Sequence, residues 1–164
     1  MKALVTYFSE TGNTKKVANA IYEAIDFEKE IKPVQEVKTV NGYDIIFCGF
    51  PVHAHSVPSK AADFIKQMPG GQKVAFFSTH GSLRGGQLPR QAFEHAISLA
   101  IKANILGHFG TRGQVNQRVI DMLLKSPEHK AWVEEAQSAI GHPDANDLSD
   151  AKTFAAEMIA KARK

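Results

Sequence analysis

Cysteine is nearly absent from this 164-residue chain, with Cys48 the single example. An internal disulfide and dithiol redox chemistry are therefore excluded, which fits a reducing cytoplasm. No apolar run approaches the roughly 18 residues of a membrane-spanning helix. The first residues lack the charged-then-apolar pattern of an export signal, so their apolar run reads as core strand. Neither Gly-x-Gly-x-x-Gly nor Gly-x-x-x-x-Gly-Lys-Ser/Thr is present, which argues against dinucleotide and ATP-type phosphate loops. Gly-x-Ser-x-Gly is missing too, so a hydrolase nucleophile elbow is not expected. No acidic pair stands near the sheet's expected carboxyl edge, as a phosphoaccepting receiver would require. The net charge of +3 makes no case for nucleic acid, and no basic stripe is interleaved with aromatics. Acid is scarce between Gly49 and Phe93. Asp63 stands alone there against Lys60, Lys66, Lys73, Arg84 and Arg90.

What the chain does contain is ordinary for one globular domain: 43% hydrophobic and 23% charged residues. Residues 2–8 (KALVTYF) form an apolar run that reads as a buried parallel strand, and residues 13–25 read as a helix. A weak second strand is expected near 30–37, and strong ones at 43–50 (YDIIFCGF), 73–79 (KVAFFST) and 104–109 (NILGHF). Helices are expected at 58–67, 89–103 and 148–163 from apolar residues at helical spacing. Strands alternating with helices predict an α/β fold with a parallel sheet covered on both faces. Residues 110–147 depart from the alternation and predict a helical insert, with short helices at 117–124 and 129–140.

The turn after the first strand is Ser9-Glu10-Thr11-Gly12-Asn13-Thr14. A strand, a hydroxyl-rich turn and a helix make a phosphate cradle. Backbone N–H groups at the helix start face the anion, and the helix dipole adds partial positive charge. Ser9, Thr11 and Thr14 add hydroxyls, and Gly12 lets the backbone close tightly. A cradle with no charged side chain inside it suits a phosphate monoester.

Two further turns would share the carboxyl edge of such a sheet, where open α/β folds bind ligands. One is 51–58, with Pro51, Val52, His53 and Ala54. The other is 79–87, with Thr79, His80, Gly81, Arg84 and Gly85. Neither contains Trp or Tyr. His53, His55, His80 and Cys48 are zinc-type donors, but no second anchored pair with ligand spacing accompanies them, so no metal is expected.

The motif Ser-x-Thr-Gly-Asn-Thr directly after a first strand resembles the phosphate loop of the flavodoxin family. The resemblance covers residues 1–109 and returns in the last helix. The segments Leu106-Gly107-His108-Phe109, Arg112-Gly113-Gln114-Val115, His142-Pro143 and Asp147-Leu148 resemble a flavodoxin-like subgroup of anaerobic prokaryotes. The resemblance implies a flavodoxin-like doubly wound five-stranded sheet in the order 2-1-3-4-5, as one domain over residues 1–164. It implies FMN as cofactor, with Ser9, Thr11, Gly12, Asn13 and Thr14 on the phosphate and Glu10 pointing away. Pro51, Val52, His53, Ala54, Thr79, His80, Gly81, Arg84 and Gly85 would flank the flavin ring, their turns' amides on its polar edge. The implied role is an electron carrier serving a redox partner protein, acidic if the basic stretch faces it. An FMN-dependent NAD(P)H:quinone-type reductase is the alternative, with Arg84 receiving a nucleotide phosphate and His53 or His80 supplying a proton. A flavodoxin-fold binding module with weak flavin affinity is a further one. A rim poor in acid should favour the anionic reduced flavin. One unit charge some 8 Å away is worth about 2 kcal/mol at an effective dielectric of 20. The absence of glycine from 51–58 predicts a stiff corner beside the ring and a weakly stabilised one-electron-reduced state.

Overall fold

A computed structural model describes residues 1–164. Five parallel strands are joined by helices. They are β1 (Lys2–Tyr7), β2 (Glu28–Pro33), β3 (Ile45–Pro51), β4 (Lys73–His80) and β5 (Asn104–Arg112), in the spatial order β2-β1-β3-β4-β5. The order turns back between β1 and β3, which places a switch point there.

The central strands are apolar throughout because both of their faces are covered. Successive side chains alternate between the two layers. Val5, Phe47, Ala75 and Phe77 pack against α1 (Asn13–Ala24) and α6 (Ala145–Ala162), meeting Val17, Ile21, Phe154 and Met158. Leu4, Ile46, Cys48, Phe50, Val74 and Phe76 face the other way. They pack against α2 (Ser59–Ile65) and α3 (Gln87–Leu99), meeting Phe64, Ile65, Ala92 and Phe93. No helix of the protein is long and apolar enough to cross a membrane.

The element boundaries differ from the sequence pattern for identifiable reasons. The second strand runs 28–33 rather than 30–37, because Pro33 ends the ladder and residues 34–36 form a single 3₁₀ turn. The third helix starts at Gln87, two residues before Pro89, since a first helical turn does not need the missing N–H. The fifth strand continues past Phe109. Gly110, Thr111 and Arg112 pair with Ser78, Thr79 and His80 of β4. Beyond it lie α4 (Gln117–Leu123) and α5 (Lys130–Gln137), joined through a 3₁₀ turn at Pro127–His129. Asp144 caps α6 by accepting from the Asp147 N–H, and the Asp147 carboxylate accepts from the Asp144 N–H in return.

Gly49 marks the tightest point of the sheet. A Cβ at this position would lie 2.0 Å from Cε2 of Phe77, its register partner on β4, and Phe77 is fully buried. Gly49→Ala is expected to cost about 2–3 kcal/mol through overpacking. Urea denaturation would read this as a lower midpoint at unchanged slope; an unchanged midpoint would show that the Phe77 ring relaxes freely.

Candidate functional site

The carboxyl ends of β1, β3 and β4 lead into three turns that meet at one edge of the sheet. In the first, Gly12 takes a left-handed φ of 92° and opens α1. The Ser9 Oγ accepts from the N–H groups of Gly12 and Lys15 at 3.2 and 3.4 Å, which curls the turn over the helix start. The first-turn amides of α1 have no carbonyl four residues back within the helix. No acidic residue occupies that turn, so the dipole's positive end is not neutralised from within.

Besides Ser9, two more of the expected phosphate residues use their side chains internally. Thr14 Oγ1 lies 2.8 Å from Thr79 Oγ1, both residues buried, which ties α1 to β4. Asn13 donates from Nδ2 to the Gln114 carbonyl at 2.9 Å. Their contribution to an anion would come from backbone N–H groups. Thr11 and Asn13 line the cleft. Glu10, expected to point away, lines it as well and reaches His53 Nε2 at 3.5 Å.

In the second turn, Val52 donates its N–H to the Thr79 carbonyl at 2.9 Å. His53 and Ser56 then exchange backbone hydrogen bonds at 3.0 and 2.9 Å around Ala54-His55. Ala54 sits at φ 55°, the one non-glycine residue in the chain with a positive φ. A two-residue loop of this shape favours glycine there, and alanine holds the conformation at a cost of about 1–2 kcal/mol. The corner has no glycine, yet its backbone takes up a glycine-like conformation.

His80 ends β4 and is 5% exposed. Its Nδ1 donates to the Ser82 carbonyl at 2.8 Å, which leaves the Nε2 lone pair buried without a partner. Burial holds its pKa below the usual histidine value. The Ser82 carbonyl opposes that, while Arg112 and Arg84 add to it. The ring is therefore neutral at neutral pH. Arg84 turns away from the cleft: its Nη1 donates to Asp150 Oδ2 at 2.7 Å, and its guanidinium lies over the Phe109 ring. Gly85 lines a separate hollow of about 140 Å³ beside Arg90, Phe93 and His108.

Between the turns lie two adjoining cavities of about 340 and 360 Å³. The first joins Thr11 and Asn13 to Pro51, Val52, His53, Ala54, Thr79, His80 and Gly81. The second is mostly apolar, walled by Val52, Ala54, Leu88, Val119, Leu123 and Trp132, with His80 and His129 among its polar groups. The sheet turns thus gather most of the residues singled out in the sequence. Gly113, Gln114, Val115, Asn116, Val119 and Trp132 also line the first cavity; Gly113, Gln114 and Val115 stand in a segment that carried the subgroup resemblance but no site role, and no motif marked Asn116, Val119 or Trp132. All follow β5, whose carboxyl end lies on the same edge.

The segment after β5 is fastened to this edge. Arg112 donates from Nη2 to the carbonyls of Glu135 and Gly81 and to Ser138 Oγ, and from Nη1 to the Ser138 carbonyl, over 2.7–3.3 Å. The Glu135 carboxylate accepts from the Leu83 N–H. A Cβ on Gly81 would lie 2.3 Å from Val115 Cγ2, so the third turn and residue 115 are in direct contact. His142, Asp144 and Asp147, close enough to suggest a cation site, are engaged in the cap of α6. Asp147 Oδ2 accepts from His142 Nδ1 at 2.6 Å and from the Asp144 N–H at 2.8 Å. Burial pushes the Asp147 pKa up, but the hydrogen bonds from the Asp144 N–H and from His142 outweigh it and hold the carboxyl below its usual range.

Two expectations follow. Ala54→Gly should stabilise the protein by roughly 0.5–1 kcal/mol, the relief of strain less the entropy glycine adds to the unfolded chain. Calorimetry would show a rise in Tm; a fall would mean that the alanine methyl makes packing worth more than the strain. His80 and Asp147 both have lowered folded-state pKa values, so the stability each contributes is present above its unfolded value and lost as pH falls. Thermal melts should show a first decline below pH 6.5, the ordinary histidine value, and a further one below 3.8. His80→Gln should show a smaller first decline than wild type; equal declines would mean that His80 is not the group being titrated.

Known proteins are similar in sequence and fold. Residues 4–156 match the model of the flavodoxin domain. The chain is 33% identical to the flavodoxin-like domain-containing protein BilS of Clostridioides difficile strain CD3, over 99% of this chain and 98% of that protein. Among solved structures, an archaeal flavodoxin superposes with a TM-score of 0.65 at 17% identity, each chain covered fully. A flavoprotein of Lactobacillus acidophilus NCFM, solved in complex with FMN, superposes with a TM-score of 0.57 at 22% identity. That match covers 66% of this chain and 92% of the other. By the domain match across almost its whole length and by this full-length relative, the chain belongs to the flavodoxin domain family.

Proposed function

We propose that the protein binds FMN in the cleft at the β1/β3 switch point and carries electrons to a partner redox protein. The observation that carries this reading is the meeting of the three turns around one elongated cleft. At one end stand the α1 amides and Thr11; at the other lies an apolar hollow. A phosphate monoester on a ribityl chain with a planar ring needs an anion cradle, a polar channel and an apolar slot, in that order. The residues present fit the group. Thr11 and the first-turn amides of α1 would hold the phosphate. Asn13 and Thr79 keep the channel polar, and Val52, Ala54 and Gly81 border the slot. FMN, when bound, accepts and releases electrons one or two at a time, and the protein contributes binding, orientation and electrostatics.

His80 holds its proton on Nδ1, toward the Ser82 carbonyl, and stays uncharged beside the ring site. His53 is exposed and is paired with Glu10. Of the basic residues in 49–93, Arg84 is paired with Asp150 and Lys66 lies 3.8 Å from Asp63. Lys73 binds the Ala162 carbonyl. Lys60 and Arg90 remain exposed, as do Lys15 and Lys16 at the start of α1. These four cations favour an acidic surface on the partner. The carrier reading is preferred over an NAD(P)H reductase because Arg84, the candidate anchor for a nucleotide phosphate, is engaged with Asp150. The cytoplasm suits a chain whose one thiol is buried and held protonated.

Titration with FMN and with riboflavin, followed by the shift of the visible flavin bands, tests the cleft. FMN is expected to bind at least tenfold more tightly, a difference of about 1.4 kcal/mol. Equal affinities would remove the phosphate cradle from the account. The FMN-loaded protein is expected to leave NADH and NADPH unoxidised in the presence of a quinone. Steady oxidation of either would replace the carrier reading with the reductase one.

A further inference from the structure

A flavin ring is a large planar apolar body, and an aromatic side chain in face contact is the usual protein surface that covers one. Neither turn beside the slot carries Trp or Tyr. The structure brings the missing aromatic from elsewhere. Trp132, the sole tryptophan of the chain, projects from α5 and lines both cavities, so it stands where they adjoin. It shares those walls with Val52 and Ala54 of the second turn and Gly81 of the third.

Trp132 belongs to the packed side of α5. Val133 beside it and Ala136 one turn on, on the same side of the helix, are 1% exposed, while Lys130, Glu134 and Gln137 on the opposite side are exposed, so the indole stands half-buried at the edge of the buried face. Arg112 clamps the carbonyls of Glu135 and Ser138 to the end of β5 and to Gly81. The Glu135 carboxylate holds the Leu83 N–H of the third turn. The indole is thus carried on a helix bound to the same turn that borders the ring slot, which limits its freedom before any ligand arrives.

We propose that Trp132 lies against the isoalloxazine of bound FMN, supplying from α5 the aromatic face that the sheet turns lack. This rests on the FMN reading above, and the experiment separates the two. Indole in van der Waals contact with a flavin quenches the flavin's own emission by rapid electron donation, followed by return of the electron to the indole. No net oxidation results.

The measurement is the emission of protein-bound FMN, with the dissociation constant from visible absorption, in wild type, Trp132→Phe and Trp132→Ala. Far-UV circular dichroism confirms that each variant is folded. Wild type is expected to bind FMN in a nearly dark state. Trp132→Phe should keep most of the affinity and recover emission several-fold, because phenylalanine stacks but does not donate an electron. Trp132→Ala should recover emission and bind roughly tenfold more weakly. If wild type takes up no FMN, the cofactor reading fails and this placement falls with it. If wild type takes up FMN and both variants match it in emission and affinity, the placement of Trp132 alone is overturned.

Discussion

The site depends on one cation. Arg112 is the last residue of β5, and its guanidinium donates from Nη1 and Nη2 to Gly81, Glu135 and Ser138. Charge-assisted hydrogen bonds of this kind are shorter and stronger than neutral ones, and a planar guanidinium fork holds its donors in a fixed geometry that a flexible ammonium lacks. The three acceptors belong to the turn after β4 and to the α5 region. Helices α4 and α5, of seven and eight residues, are too short to be stable alone, and this link holds them at the sheet edge together with the Glu135 carboxylate on the Leu83 N–H and the buried side chains of Ile120, Val133 and Ala136. With it, the segment after β5 becomes the fourth wall of a cleft whose other three walls are the turns after β1, β3 and β4.

The same economy governs the first turn. Hydroxyls and an amide that read as ligand groups are used for assembly: Thr14 to Thr79 and Asn13 to Gln114. Each bond joins the phosphate turn to another wall. The N–H groups of Asn13 and Thr14, the first-turn amides of α1 that Ser9 does not take, are then left for an anion at the positive end of the helix dipole. Those are the groups that need no side-chain ordering when a ligand binds. Ala54 adds strain at the second turn, where a left-handed alanine is held by reciprocal backbone bonds between His53 and Ser56. Strain of this sort persists when the surrounding structure over-determines it, and it concentrates at functional sites.

The sheet and the three turns at its carboxyl edge were legible because their signals are local. Runs such as Ile45–Pro51 can be read as buried strands from the residues alone, and the hydroxyl-rich turn at 9–14 announces a helix start. What was illegible lies in long-range pairing. Arg84 reads as a ring-side cation until Asp150, 66 residues later, takes it. Glu10 reads as an outward residue until His53 turns out to stand opposite. Trp132 reads as one apolar position of a short amphipathic helix. Its place at the cleft depends on Arg112 and Glu135, whose partners no periodicity reveals. Strand ends moved for a related reason: β5 continues to Arg112 because β4 still offers backbone partners as far as His80.

The central claim is that the segment after β5 and the three sheet turns form one binding unit. Amide hydrogen exchange of the protein with and without FMN tests it most directly. The account predicts that FMN slows exchange together in residues 10–14, 52–56, 80–83 and 113–119, and in α5 around residue 132. Slowing confined to the three sheet turns, with 113–137 exchanging as before, would contradict it and reduce the last segment to a structural appendage.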